Sequence, residues 1–328
     1  MTPRLWTAAR WAIGIAVVAA LVLVSDPQAL AGQLRTVNVG LAALGIGLLT
    51  AVHLVAAETW RMLTRRIAGV VLPRSEAVMR YYVSQALGGV TPANLGGDVY
   101  RVQATRSSAG GYGAAATPVI VQRATSYLAL SLIGLVALAV LGAGGSIELA
   151  LALPALAVVL GGIAFAAFLL VPAGPMRRWR GRLLQLALGA PDADTTDAHA
   201  LQLRASTLVG LILGLVFHAA SVIATTVLLA AVDPAAVSPM SIAALAVARL
   251  AITIPISPSG LGFQEGALSA LFIGIGLSPA TALGALLLGR VSLLTTAAIG
   301  GLALAVSGPR RPRTGAPTTT HHRAATRS

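Results

Sequence analysis

Apolar runs long enough to cross a lipid bilayer recur along this chain, and they constrain its fold more than any other feature. A bilayer core about 30 Å thick needs roughly 20 residues of α-helix to cross it. Backbone polar groups inside a bilayer must be paired within the protein, and a helix pairs them within each span. The sequence predicts an all-α, polytopic membrane helix bundle of about seven to eight spans. The apolar runs cover residues 11–24, 39–57, 119–141, 147–171, 208–231, 242–256 and 283–306.

Composition excludes a soluble protein and several kinds of chemistry. Of the 328 residues, 56% are hydrophobic and 10% are charged, whereas roughly a quarter of a soluble domain is charged. The net charge is +13, most of the charged residues lie between the apolar runs, and only 4% of residues are aromatic. We therefore expect anionic lipid as the partner and no nucleic acid. The absence of cysteine excludes disulfides, thiolate catalysis and Cys-ligated metals.

The loops between the apolar runs differ in charge, and this difference predicts the topology. Loops rich in arginine stay in the cytoplasm, so both termini should be cytoplasmic and the number of full crossings should be even. One or both of the segments 77–90 and 261–277 must then be re-entrant or built from paired half-helices, and the sequence does not decide which. The arginine clusters are Arg61, Arg65, Arg66, Arg74 and Arg80, then Arg101 and Arg106, then Arg177, Arg178, Arg180 and Arg182, and finally Arg310, Arg311 and Arg313.

The domain organisation follows from the same pattern. Residues 1–308 are predicted to form one integral membrane domain with two halves, 1–172 and 190–308. An arginine-rich interfacial helix at 176–188 separates them, and residues 309–328 are expected to be a disordered cytoplasmic tail. Residues 1–31 fit either a cleaved signal peptide or a retained first helix, and both interpretations stay open.

Two apolar segments, 84–101 and 254–266, are interrupted by proline and glycine, which a continuous helix tolerates poorly. Both contain Pro-x-x-Leu-Gly followed closely by an acid. Interrupted segments at corresponding places in two halves indicate an internal inverted repeat whose broken helices meet at a substrate site. A chance match also stays open, because the chain has 35 glycines and 17 prolines. The shared positions are Pro92, Leu95, Gly96 and Asp98 in the first segment, and Pro258, Leu261, Gly262 and Glu265 in the second.

A broken helix in a bilayer leaves backbone N–H and C=O groups that protein, water or ligand must satisfy. A half-helix that begins near Asp98 or near Glu265 would direct its amides and the positive end of its dipole at whatever precedes it, and a phosphate fits that description. The two acids either cap these helices or cap them and also take part in transport. Both alternatives remain open.

Several polar side chains lie in or beside the apolar runs. Arg249 and Arg290 stand inside them, so we expect each to pair with Asp98, Glu265 or a lipid phosphate. Arg80 and Arg101 flank the first broken segment as topology determinants or as headgroup contacts. Histidines 53 and 218 lack a second ligand at helical spacing, so we expect no metal site and no cofactor.

Three stretches of the sequence resemble the lysylphosphatidylglycerol synthase transmembrane region family, also called flippase-like. They are the Leu-Gly-Gly-Asp-x-x-Arg run that ends at Arg101, the run at 254–265, and Gly289-Arg290. The resemblance covers about residues 11–306 and implies movement of aminoacylated phospholipid between leaflets, while a separate soluble domain makes the lysyl ester in bifunctional relatives. The first run has Asp98 where glutamate is common in the family. The family pattern selects Pro92, Gly96, Asp98, Arg101, Pro258, Gly260, Gly262, Glu265 and Arg290.

From the residues and the resemblance we expect a lipid flippase or transporter for an anionic or aminoacylated lipid in a bacterial plasma membrane, with a separate lipid-modifying enzyme as a partner. The chain ends at residue 328, soon after its last apolar run, so we expect no aminoacyl-transferase domain and no enzyme activity. The alternatives are a membrane enzyme acting on lipid phosphate and a non-catalytic scaffold. The candidate substrate-binding residues are Arg80, Pro92, Gly96, Asp98, Arg101, Arg249, Pro258, Gly260, Gly262, Glu265 and Arg290.

Overall fold

The computed structural model describes residues 19–20, 23, 27–89, 91, 94–145, 149–170, 197–250 and 261–307. Within these ranges the regular structure is helical and contains no strand, which confirms the predicted all-α bundle. A short 3-10 helix at Pro234–Ala236 precedes the α-helix that begins at Pro239. The helices are α1 Pro27–Arg35, α2 Val39–Ala68, α3 Arg74–Gly89, α4 Leu95–Thr105, α5 Tyr112–Ala143, α6 Leu149–Leu170, α7 Asp197–Val232, α8 Pro239–Ala248, α9 Phe263–Gly274 and α10 Pro279–Ser307.

Four helices are long and apolar enough, over their described residues, to cross a bilayer: Val39–Ala68, Tyr112–Ala143, Ala205–Val232 and Pro279–Val306. Each extends beyond the apolar run that predicted it. The first continues past residue 57 until Gly69, whose left-handed φ of 69° ends the helix while its N–H donates to the carbonyl of Thr64. The predicted first span, the interfacial helix at 176–188 and the tail at 309–328 fall outside the described residues, apart from 19, 20 and 23.

Each interrupted segment lies at the junction of two short helices. In the first pair, α3 and α4 run antiparallel, because Arg80 near the start of α3 donates to the carbonyl of Ala104 at the end of α4 at 2.6 Å. Farther along the hairpin, Gly97 lies against the backbone of Ser84. In the second pair, α8 and α9 pack on each other. Each pair follows one long helix and precedes another, so helices α2–α5 and helices α7–α10 share the order long, short, short, long.

Contacts along α7 give the relative directions of the long helices. Helix α2 runs antiparallel to α7, since Asn38 donates to the carbonyl of Ala231 at 2.9 Å while the rings of His53 and Phe217 lie 6.1 Å apart. Helix α5 runs parallel to α7, because Gly210 lies against Thr125 and Gly214 against Ala129. Helix α10 is antiparallel to α7, with Gly284 against Val232 and Gly289 against Leu228.

These directions relate helices α2–α5 to helices α7–α10 as an inverted repeat. The first long helix of one half (α2) runs opposite to its counterpart (α7), and α5 likewise runs opposite to α10. The α3–α4 hairpin starts from the end of α2, whereas the α8–α9 hairpin starts from the end of α7, which lies beside the beginning of α2. The α3–α4 pair therefore begins at one end of the bundle and the α8–α9 pair begins at the other.

Apolar side chains fill the interior and also cover much of the outside. One buried cluster joins α5, α8 and α9 through residues such as Leu141, Leu245 and Phe272, and another places Trp60 against α3 and α5. Large apolar side chains on α5 and α10, including Leu294, are exposed. Such a surface suits contact with lipid chains.

Neighbouring glycines on α10 provide a test of the packing between α10 and the first hairpin. A Cβ on Gly300 would lie 2.1 Å from the carbonyl oxygen of Tyr82, whereas a Cβ on Gly301 would meet nothing within 4 Å. We expect Gly300→Ala to destabilise the protein by about 1–3 kcal/mol, because the obstacle is backbone. The matched Gly301→Ala variant should unfold like the wild type. Thermal unfolding of both purified variants measures the difference, and equal midpoints would contradict this packing.

Candidate functional site

The first half of the repeat places Asp98 in the opening turn of α4. The chain reaches this turn through Asn94, which has a left-handed φ of 59°, and the Thr91 hydroxyl oxygen accepts a hydrogen bond from the Gly96 N–H at 2.9 Å. Asp98 then accepts hydrogen bonds from two guanidinium groups, one on each carboxylate oxygen. Arg101 lies one turn farther along α4, and Arg123 comes from α5.

Arg101 is held on several sides and is almost fully buried. It donates to the side-chain oxygen of Gln122 at 2.5 Å, and Gln122 in turn donates to the carbonyl of Ala56 on α2 at 2.8 Å. The guanidinium carbon lies 5.1 Å from the centre of the Tyr81 ring, a favourable arrangement for a cation. Its Nε atom is buried and has no hydrogen-bond partner within the described part of the chain.

Arg123 was missed by the sequence analysis. It also donates to the Tyr127 hydroxyl at 3.0 Å, and a quarter of its side chain is exposed. With Asp98 it joins α4 to α5. The cluster of Asp98, Arg101 and Arg123 has two guanidinium groups around one carboxylate, which leaves a formal excess of one positive charge.

A cavity of about 130 Å³ opens beside this cluster. It is larger than the roughly 30 Å³ that one water occupies in the liquid. Helix α7 closes the opposite side with small and apolar residues, including Gly210, Gly214 and Phe217. We call this space the polar cavity. Its polar lining residues are Thr59, Tyr81, Asn94, Arg101, Gln122, Arg123, Ser126 and Tyr127.

The second half of the repeat holds a matching ion pair. Glu265, in the first turn of α9, is fully buried and accepts from Arg290 Nε on α10 at 2.7 Å. Its other carboxylate oxygen accepts from the N–H of Gly262 at 2.8 Å, which fixes the start of the helix. The predicted pairing of Arg290 with Glu265 is confirmed, and Glu265 caps its helix as well.

The two ion pairs occupy equivalent positions in the inverted repeat. Asp98 and Arg123 are 25 residues apart, and so are Glu265 and Arg290. Both arginines stand eleven positions after the first residue of their long helix, from 112 to 123 and from 279 to 290. The equal spacing is the sequence signal that identifies Arg123. The halves differ in exposure, since the polar cavity reaches Arg123 whereas neither Glu265 nor Arg290 lines it.

Arg249 lies at the tip of the second hairpin, directly after α8. Its Nε atom is buried without a hydrogen-bond partner among the described residues, and the predicted pairing with an acid is not seen there. His218 bonds to Ser126, a lining residue of the polar cavity, at 3.0 Å.

Of the remaining predicted site residues, some make contacts that hold the fold together, and others lie outside the residues that the structure describes. Arg80 pairs with Glu76 at 2.5 Å and closes the base of the first hairpin. Gly96 has no room for a side chain, because a Cβ would lie 2.8 Å from the Leu87 carbonyl oxygen. No group of three acidic or histidine side chains that could hold a metal occurs in the ranges that the structure describes. Pro92, Pro258 and Gly260 lie outside those ranges.

The comparisons with known proteins give one family match. The family model for the lysylphosphatidylglycerol synthase TM region matches residues 11–301, which include both hairpins and both ion pairs. No curated protein and no solved structure matches the chain. Because the match spans most of the sequence, the chain belongs to the lysylphosphatidylglycerol synthase TM region family.

Proposed function

We propose that this integral membrane protein moves an anionic or aminoacylated phospholipid between the leaflets of a bacterial plasma membrane, without changing the lipid chemically. The observation that carries the proposal is the polar cavity, which is lined by Arg101 and Arg123, the two arginines that share the single carboxylate of Asp98 beside it. A charged headgroup pays a large desolvation cost inside a bilayer. Guanidinium groups lower that cost because they match phosphate oxygens in geometry and in charge.

The position of the cluster along the helices supports a route through the bundle. Gln122 beside Arg123 bonds to Ala56, near the middle of the 30-residue α2. A lipid phosphate at Arg123 would therefore lie deep between the helix ends. Asp98 would compete with the phosphate for the arginines, or would meet the amine of an aminoacyl headgroup. Either use gives the acid a role beyond capping α4.

The inverted repeat provides a second binding site for the same headgroup. Glu265 and Arg290 correspond to Asp98 and Arg123, and their hairpin enters from the other end of the bundle. The polar cavity accompanies only the first pair, while Glu265 is fully buried. We take this as one state of an alternating cycle in which a rocking motion opens the second pair. With the arginine-rich end cytoplasmic, the first pair serves the inner leaflet.

Transport by the purified chain in vesicles tests the proposal. The full-length protein is reconstituted into phosphatidylcholine vesicles with a trace of headgroup-labelled phosphatidylglycerol, and outer-leaflet label is followed with a membrane-impermeant quencher. We expect rapid exchange between leaflets with the wild type. Arg123→Gln should reduce exchange to the rate of protein-free vesicles, because the phosphate loses a central cation in the polar cavity.

The matched control is Arg65→Gln, which removes an exposed arginine from the last turn of α2 and should leave exchange unchanged. Circular dichroism and thermal unfolding verify that both variants fold. Exchange at the wild-type rate in folded Arg123→Gln would contradict the proposal. Failure of the wild type to move lipid on its own would favour a scaffolding role.

A further inference from the structure

A second cavity of about 260 Å³ lies between α5 and α6. Its position depends on two neighbouring glycines of α6. A Cβ on Gly162 would lie 2.2 Å from the Ser131 hydroxyl oxygen, so the helices touch there, whereas a Cβ on Gly161 would meet nothing within 4 Å. Gly161 is exposed and lines the cleft, so a side chain at this position would have open space to occupy. Among the residues that the structure describes, the lining apart from Ser131 and Tyr127 is apolar or glycine: Leu130, Val158, Gly161, Gly162 and Leu250.

Tyr127 lines both this cleft and the polar cavity. Its hydroxyl accepts the hydrogen bond from Arg123, so its polar end belongs to the arginine cluster. The rest of the ring is apolar. The two spaces thus meet at one side chain, with guanidinium groups on one side of it and an apolar cleft on the other.

The cleft has the size and the chemistry for a hydrocarbon chain. An apolar cavity of about 150 Å³ takes up benzene, so this cleft can hold a segment of one acyl chain. One of its lining residues, Leu250, directly follows Arg249 at the tip of the second hairpin and packs beside Gly134 of α5. The cleft is therefore built from both halves of the repeat, and relative motion of the halves would change its shape.

We infer that the cleft between α5 and α6 holds one acyl chain of the same lipid whose phosphate binds at Arg101 and Arg123. This inference rests on the proposed function and extends it, because it makes the protein a receptor for a whole amphiphile. Headgroup and chain would lie on the two sides of Tyr127. Chain length would then contribute to binding, which a site that recognises only the headgroup would not produce.

Binding of two probes that differ only in chain length tests the inference. The probes are 1-acyl-glycerol-3-phosphates with 6 and 16 carbons, and native mass spectrometry of the purified full-length protein gives apparent Kd values. We expect the wild type to bind the longer probe about tenfold more tightly or better. Gly161→Leu should abolish that preference, because its side chain would occupy the cleft. Gly161→Ala should give an intermediate preference.

The matched control is Gly47→Leu on α2, where a Cβ likewise meets nothing within 4 Å, and it should behave like the wild type. A wild-type preference that survives in Gly161→Leu would overturn the inference and leave the proposed phosphate site intact. Failure of both probes to bind the wild type would contradict the proposed function itself.

Discussion

Replacing Glu265 by alanine is expected to lower the free energy of unfolding by about 3–5 kcal/mol, because it removes one partner of a buried ion pair. Glu265 is fully buried, and Arg290 Nε donates to it at 2.7 Å. The variant also removes the acceptor for the N–H of Gly262, which begins α9. Titration of the purified protein with SDS in mixed micelles, followed by circular dichroism, measures the loss.

A double-mutant cycle separates the ion pair from the other contacts of Glu265. Glu265→Gln keeps the shape of the side chain but leaves Arg290 without its carboxylate partner, so it should be strongly destabilising. Adding Arg290→Gln should recover much of the loss, because no uncompensated charge remains. The control cycle uses Glu58 and Arg61, a partly exposed pair on α2 with a 2.5 Å contact, for which about 0–1 kcal/mol is expected. Equal coupling energies in the two cycles would contradict a special role for the buried pair.

The bundle and its broken segments could be predicted from sequence because both depend on local signals. Long apolar runs indicate helices in a bilayer, and proline and glycine interrupt them wherever they cluster. The ends of the long helices were harder to predict from the sequence. Hydropathy placed the start of one span at 119, but α5 begins at Tyr112, because a helix can continue beyond the apolar core of the membrane.

That difference explains why Arg123 was missed. Near the end of a span an arginine can extend its guanidinium towards water. A helix that starts at 119 would place Arg123 near such an end, where it would need no buried partner. The helix that starts at Tyr112 instead places Arg123 within its interior, beside Asp98. Arg80 shows the converse, since it flanks the first broken segment in sequence but bonds to Glu76 and to the Ala104 carbonyl. Pairs of side chains that are distant in sequence could be identified only from the packing of the helices in the structure.

Asp98 and Arg123 should have opposite effects on the binding of a lipid phosphate. Asp98 occupies guanidinium groups that the phosphate would need, so it lowers the affinity of the polar cavity for anions. Arg123 raises that affinity by direct attraction. A purely structural ion pair would lack this asymmetry, because loss of either partner would disturb the same contact.

We therefore expect Asp98→Asn to bind the 16-carbon 1-acyl-glycerol-3-phosphate about tenfold more tightly than the wild type, and Arg123→Gln about tenfold more weakly, or about 1.4 kcal/mol in each direction. Native mass spectrometry measures both. Asp98→Asn should nevertheless move lipid more slowly across vesicles, since a phosphate held more tightly is released less often. Glu76→Gln, which alters the Arg80 pair at the base of the hairpin, is the control and should change neither quantity. Weaker binding in both Asp98→Asn and Arg123→Gln would mean that the pair serves only to hold α4 against α5.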